Sequence, residues 1–181
     1  PSVRPYQPAG LWKEIASTTD YNQAHGASLY RRSLYTYWKR TVTPPTMATF
    51  DASSRETCRV RPSRTNTPLQ ALTLMNDITF VESARVLAER VLSEPLETDS
   101  QRIDHAFLLT ASRWPRPAER RVLLESLADQ RKRFQASPKA ATQLASAGEY
   151  SRREKLAPAE VAAWTTIAGL LLNLDETISR E

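Results

Sequence analysis

The chain has 181 residues, of which 40% are apolar and 25% charged, with a formal net charge of +5. This is ordinary globular composition, long enough for one domain with a real core. It excludes a membrane span, since no stretch approaches the ~18 apolar residues such a span needs. The lone Cys58 excludes an internal disulfide, a CxxC redox pair and a CxxCH haem attachment site.

The chain opens with Pro1-Ser2-Val3-Arg4-Pro5, without a start Met or the apolar core of a signal peptide. That is expected of a segment from within a protein. Charge is unevenly spread. Residues 1–66 hold ten Lys and Arg against four Asp and Glu, a net of +6, while residues 67–181 sum to −1. Arg outnumbers Lys 20 to 5. Arg presents a planar fork of donors suited to carboxylates, phosphates and carbonyls, although a GC-rich genome would give the same bias.

Residues 1–27 are Pro-punctuated and aromatic, with a short helical segment expected around Leu11, Trp12, Ile15 and Ala16. Residues 28–40 read as a helix whose face carries Tyr30, Leu34, Tyr37 and Trp38. Residues 41–66 show no period, and Pro44-Pro45 is expected to forbid a helix there. Long unstructured loops of this kind are often functional or docked on something.

Helix signals then sharpen. Thr67-Pro68-Leu69-Gln70 supplies an N-cap, a Pro at the first helical position and a Gln three residues after the cap. That helix runs to about Met75, and Asn76-Asp77 breaks it. Thr79-Phe80-Val81-Glu82 reads as a second capping box, opening a helix to about Ser93 with Val81, Ala84, Leu87, Ala88 and Val91 on one face. Asp99 or Ser100 caps the next, with Ile103, Phe107 and Thr110 in line. Trp114-Pro115 ends it. Pro117 opens a helix carrying Leu123, Leu127 and Phe134, which ends before Pro138. A small Ala-rich helix covers about 139–146 and closes at Gly148. Pro158 opens the last, aligning Trp164, Ala168 and Leu171, with Ala157 where a Ser or Asp cap would serve better. With four glycines, little β-alternation and no internal repeat, the fold class is all-α. The expected form is an irregular, bundle-like array (67–181) with an aromatic, basic N-terminal arm and an Arg-rich loop (1–66), forming one domain over 1–181.

No catalytic motif stands out. Arg55, Arg59, Arg61 and Arg64 fall within ten residues, just before the helix start at Thr67. Arginines beside a helix N-terminus are how proteins hold phosphate, sulfate or carboxylate groups, so these five residues are the anion-binding candidates. The same arginines serve equally to bond loop carbonyls or pair with acidic helix ends. Asp175 and Glu176 read as carboxylates at a helix C-terminus, a poor place for anions unless cations meet them. Arg64, Arg61, Arg4 and Arg180 are candidates to do so, with Arg64 expected to be buried. His25 and His105 have no neighbour at metal-ligand spacing, so no metal or other cofactor is expected in this chain. A His25–Cys58 dyad has no orienting third group, and a lone Cys is usually a small buried hydrophobe. Eight of the 14 aromatics lie in residues 1–50. Interleaved with arginine, they could stack bases or sugars, or form the seam with another domain.

Four segments carry a resemblance: PSVRPYQPAGLW at 1–12, LYRRSLYTYWKRT at 29–41, FDASSRETCRVRPSRTNTPLQALTLMND at 50–77 and LLNLDETISRE at 171–181. They resemble the C-terminal domain of large secreted planctomycete cytochrome-associated proteins, a domain of unknown function. Trp114-Pro115-Arg116 and Ala157 depart from the usual pattern, both at helix starts. The resemblance implies an extracytoplasmic, multidomain parent whose haem, if any, belongs to another module. It supplies no reaction and no catalytic residues. The leading expectation is a non-catalytic helical module packing on upstream domains of an exported, redox-linked protein. Second is an enzyme half-site whose Arg55–Asn66 loop holds an anionic ligand. Nucleic-acid binding ranks last.

Overall fold

The computed structural model describes residues 2–8, 10–11, 20–39, 43–54, 56, 58, 60–61 and 65–178. The chain divides into two compact units, Pro1–Thr73 and Leu74–Glu181. Both are helical, and no sheet occurs among the described residues. No helix among them is long and apolar enough to cross a membrane.

The first unit is built from short pieces. Two 3₁₀ helices, Gly26–Tyr30 and Ser33–Tyr35, precede α1 (Pro45–Thr49), and α2 (Pro68–Asn76) carries the unit boundary. The single helix expected over 28–40 does not form. Val3 pairs alongside the chain at Thr36, donating its amide to Tyr35 O (2.8 Å) and accepting the Tyr37 amide (2.7 Å). Those groups are therefore withdrawn from any helical ladder, and the aromatic, Ser- and Thr-rich segment has little intrinsic helicity to oppose the pairing. Pro44-Pro45 starts a helix rather than forbidding one. Pro44 takes the N-cap position and Pro45 the first turn, where a missing N–H costs nothing. The segment expected around Trp12, Ile15 and Ala16 lies outside the described residues.

At the start of α2 the expected capping box is present. The Thr67 amide donates to Gln70 Oε1 (2.9 Å) and the Gln70 amide to Thr67 Oγ1 (3.3 Å).

The second unit holds α3 (Ile78–Ser93), α4 (Asp99–Ala111), α5 (Pro117–Ala136), α6 (Pro138–Ala145), α7 (Pro158–Leu172) and α8 (Asp175–Ile178). The caps differ from expectation at two places. Asp77, not Thr79, caps α3, accepting the Thr79 amide at 2.9 Å. Asp77 stands outside the helix, where its carboxylate reaches back, whereas Thr79 is already helical. Thr98 caps α4 in a box with Gln101, so Asp99 falls in the first turn. Helix α4 ends at Ala111 with Ser112 in the left-handed region, before Trp114-Pro115 is reached. Pro opens α5, α6 and α7 at the first turn.

Helix α7 is the axle. Val161, Ala162, Ala163, Trp164, Ile167, Ala168 and Leu171 are all buried, which leaves only a narrow strip at Thr166 and Leu170 open. Helices α3, α4, α5 and α6 pack around it. Each offers one apolar face: Ala84, Ala88 and Val91 of α3, Ile103 and Phe107 of α4, Leu123, Leu127 and Phe134 of α5. The expected stripe residues Val81, Leu87 and Thr110 lie at the edges, half-buried. Ile167→Ala, at the centre of this axle, should lower unfolding free energy by about 2–5 kcal/mol. Urea titration followed by far-ultraviolet circular dichroism checks this, and a midpoint within error of the parent would contradict the axle assignment.

Candidate functional site

The Arg-rich segment is pinned at its neck, within the first unit. Asp51, at φ 59°, ends the turn after α1. Its Oδ2 accepts the Thr65 amide (2.8 Å) and the Thr65 hydroxyl (2.7 Å). The buried Gln70 carboxamide donates to Thr49 O (2.9 Å) and Thr65 Oγ1 (3.0 Å). Asp51 and Thr65, which flank the Arg-rich segment, are thus bonded to each other and to Gln70. Among the loop's described residues Cys58, Val60 and Arg61 are exposed, so Cys58 is not the buried hydrophobe expected. Arg55, Arg59 and Arg64, and with them the expected burial of Arg64, lie outside the described residues. Thr67 gives its hydroxyl and amide to the capping box, so two helix-start groups are already engaged.

Asp175 and Glu176 occupy the first turn of α8 rather than a helix C-terminus, a favourable place for anions. Leu174 accepts from Thr177 and Ile178 as that turn starts. The cation that meets Glu176 is Arg113, donating from Nη2 at 2.7 Å and Nε at 2.9 Å. Arg113 also takes Glu119 at 2.8 and 2.9 Å. With the Arg116 amide, this holds the Glu119 carboxyl down at about 2, and Arg113 lowers that of Glu176. Arg131 joins Asp99 at the start of α4 to Glu160 in the first turn of α7, whose Oε1 also accepts Trp164 Nε1 at 2.9 Å. The same arginine lowers the Asp99 carboxyl.

A charged cluster that the sequence reading missed lies inside the second unit. Glu82, Arg85 and Glu89 of α3 are all buried. Arg85 donates to Ala147 O (2.9 Å), Glu89 Oε1 (2.6 Å) and Tyr150 O (2.6 Å). Glu82 accepts the Tyr150 amide at 2.5 Å and Glu89 the Arg153 amide at 3.3 Å. Gly148 (φ 84°) passes so close that a Cβ there would stand 2.2 Å from Glu82 Cδ. The set locks the 146–153 connection onto α3. All three Arg85 donors are taken by backbone carbonyls or by Glu89, a structural arrangement rather than a reacting one. The signal was legible: three charges at i, i+3 and i+7 on a helix with an apolar face.

An apolar cleft of roughly 140 Å³ opens in the same unit among Leu74, Met75, Val81, Leu144 and Leu170. The Thr165 and Thr166 hydroxyls on its wall donate to Val161 O and Ala162 O, within their own helix. His25 is exposed and His105 half-buried. Among the described residues no group of three His, Cys, Asp or Glu could hold a metal ion.

On the first unit, Arg31 lies over the Tyr35 ring at 4.3 Å and Arg4 over Tyr37 at 4.9 Å. Tyr30, Leu34, Tyr35 and Tyr37 are exposed. Tyr21 donates to Pro5 O (2.5 Å), and burial pushes its hydroxyl up to about 12 against the Arg4 charge.

A family model, PSD1: Protein of unknown function (DUF1553), matches residues 1–127. No curated protein and no solved structure matches the chain. The chain belongs to this family of unknown function.

Two measurements test these contacts. Arg85→Ala strands two buried carboxylates and two carbonyls, and should cost about 3–5 kcal/mol in a urea titration; a loss below about 1 kcal/mol would show the cluster to be solvated. The lowered carboxyls of Glu119, Glu176 and Asp99 give stability that is present above their ordinary range and lost as pH falls through the folded values. Thermal melts should therefore drop between about pH 4.5 and about pH 2, and Glu119→Gln should flatten that drop.

Proposed function

We propose that this member of the family is a non-catalytic helical module that packs on upstream domains of an exported, redox-linked multidomain protein. One observation supports the reading above the others. Of the described residues in Pro1–Thr73, only Val3, Pro44 and Gln70 are buried, while Tyr30, Leu34, Tyr35 and Tyr37 stay exposed. Units of this size already bury a modest share of their surface. One that leaves Tyr30, Leu34, Tyr35 and Tyr37 outside has apolar contacts still to make. The resemblance described above agrees with export and a multidomain parent, and with haem, if any, in another module.

The pinned loop favours a second reading, a half-site in which Arg55, Arg59, Arg61 and Arg64 hold an anionic substrate group supplied or processed by another domain. A closed neck at Asp51, Thr65 and Gln70 is what a ligand loop needs to keep its arginines in place. Sulfate should then raise the melting temperature of the chain, and Arg61→Ala should abolish the increase. Nucleic-acid binding ranks third, because Leu34 has no role on a base-stacking surface.

Hydrogen exchange on this chain alone and on the longer polypeptide that contains it separates the first reading from the others. The amides of residues 30–37 should exchange at least about tenfold more slowly in the longer polypeptide than in the isolated chain. Equal rates in both would sink the module reading.

A further inference from the structure

The helices around α7 leave one opening, and the apolar cleft of roughly 140 Å³ lies there. Helix α7 contributes Thr166, Gly169 and Leu170 to its lining, at the i, i+3 and i+4 spacing of a single helix face. Val81 and Ala84 of α3 and Leu144 of α6 share that lining. All of these residues belong to the second unit. The open strip of an otherwise enclosed helix and the cleft are therefore one feature.

The lining decides what the cleft accepts. No charged side chain lines it among the described residues. The Thr165 hydroxyl donates to Val161 O at 2.7 Å and that of Thr166 to Ala162 O at 3.2 Å, so both donors are engaged within the helix. A buried water needs about two to four polar partners, and this lining is poor in them. Gly169 is the second, independent observation. Glycine is a weak helix former, so its place inside α7 calls for a cause. Backbone conformation is not the cause, because Gly169 is not among the residues with positive φ. Crowding is not the cause either: a Cβ there would meet only Ala84 Cβ within 4 Å, at 4.0 Å, an ordinary contact. What the missing side chain provides is room in the cleft. The volume sets the occupant, since an apolar cavity of about 150 Å³ takes one benzene. A docked helix would need a groove for anchors at i, i+3 or i+4, and i+7, longer than a space for one ring.

We propose that this cleft is a binding site for a small, uncharged apolar molecule the size of one aromatic ring. Gly169 keeps the space open, and the molecule lies against the aliphatic side chains of Val81, Leu144 and Leu170 without exchanging a hydrogen bond.

Titration of the full 181-residue chain, methyl-labelled, with toluene tests this by nuclear magnetic resonance. Saturable shifts should appear at the methyls of Leu74, Val81, Leu144 and Leu170. Benzoate, the same ring with a charge, should bind at least about tenfold more weakly. Gly169→Ala adds one methyl to the lining and favours the helix, so it should fold and weaken toluene several-fold. Gly169→Leu should abolish binding while the methyl spectrum stays dispersed; should that variant not fold, Gly169→Ala decides. Thr166→Val should leave affinity unchanged, because the hydroxyl is bonded to its own helix. Shifts that never saturate, or that centre on the enclosed Leu127 and Leu171, would show toluene dissolving in the core and overturn the proposal. Equal affinity for benzoate, loss of binding in Thr166→Val, or wild-type affinity in Gly169→Ala would overturn it too. A leucine-anchored helical peptide that displaces toluene from the same methyls would reassign the cleft to a protein partner, again against the proposal.

Discussion

A helix with no polar face has to be enclosed, and Pro158–Leu172 is such a helix. Its buried residues surround the axis except along the strip of Thr166 and Leu170. Water can be excluded from all of them only if several neighbours stand around it, and α3, α4, α5 and α6 do so. At about 25 cal/mol per Å² of apolar surface removed from water, this one segment outweighs any single ion pair on the surface. The amphipathic helices need only one stripe each, so their lengths and caps can vary. The axle's composition cannot, and this is why small residues, Ala162, Ala163 and Ala168, alternate with Trp164 and Ile167: backbones approach closely at the small positions and the large ones fill the gaps between neighbours.

Enclosure creates a polar problem elsewhere. The chain between α6 and α7 must cross α3 at close range, and its amides and carbonyls lose water when it does. Arg85 provides three donors at that place, two of them to the carbonyls of Ala147 and Tyr150. A lone buried guanidinium would be unstable, so Glu89 pairs with it at 2.6 Å while Glu82 and Glu89 also accept crossing amides. The arrangement works only with glycine at position 148, because any Cβ would occupy the space of the Glu82 carboxyl. Apolar burial at the axle and ionic burial at Arg85 are consequently two halves of one constraint.

How far these features were legible follows from their range. Prolines at 68, 117, 138 and 158, and the Thr67–Gln70 box, act within one turn of chain, and the helices they open start where the residues place them. Core stripes such as Ile103 and Phe107, or Leu123, Leu127 and Phe134, repeat at helical spacing and are buried as expected. Misreadings arose where a distant segment decides. Residues 28–40 carry a helical pattern, yet Val3 bonds to Tyr35 and Tyr37 across more than thirty positions of chain. Two cap sites shifted by one or two residues, because Asp77 and Thr98 compete with the Thr and Asp beside them for the same amides. Glu176 finds Arg113, which no spacing rule links to it. Asp51, Thr65 and Gln70, which bond beside the Arg-rich segment, look like unremarkable loop polars in the sequence.

The two units solve the same problem in opposite ways. The second buries a continuous apolar core among its long helices and pairs its buried Arg85 with Glu89 inside the same unit. Among its described residues the first has short helices of three to nine residues, too short to hold helical form by propensity alone. It is held instead by discrete bonds: Tyr21 to Pro5, Val3 to Tyr35 and Tyr37, Asp51 to Thr65, Gln70 to Thr49. Hydrogen bonds fix geometry but contribute about 1 kcal/mol each after desolvation. A unit organised this way is shaped before it is fully stabilised. The apolar surface of Tyr30, Leu34, Tyr35 and Tyr37 is then available to be covered in place, without the ordering cost that a disordered segment would bear on binding.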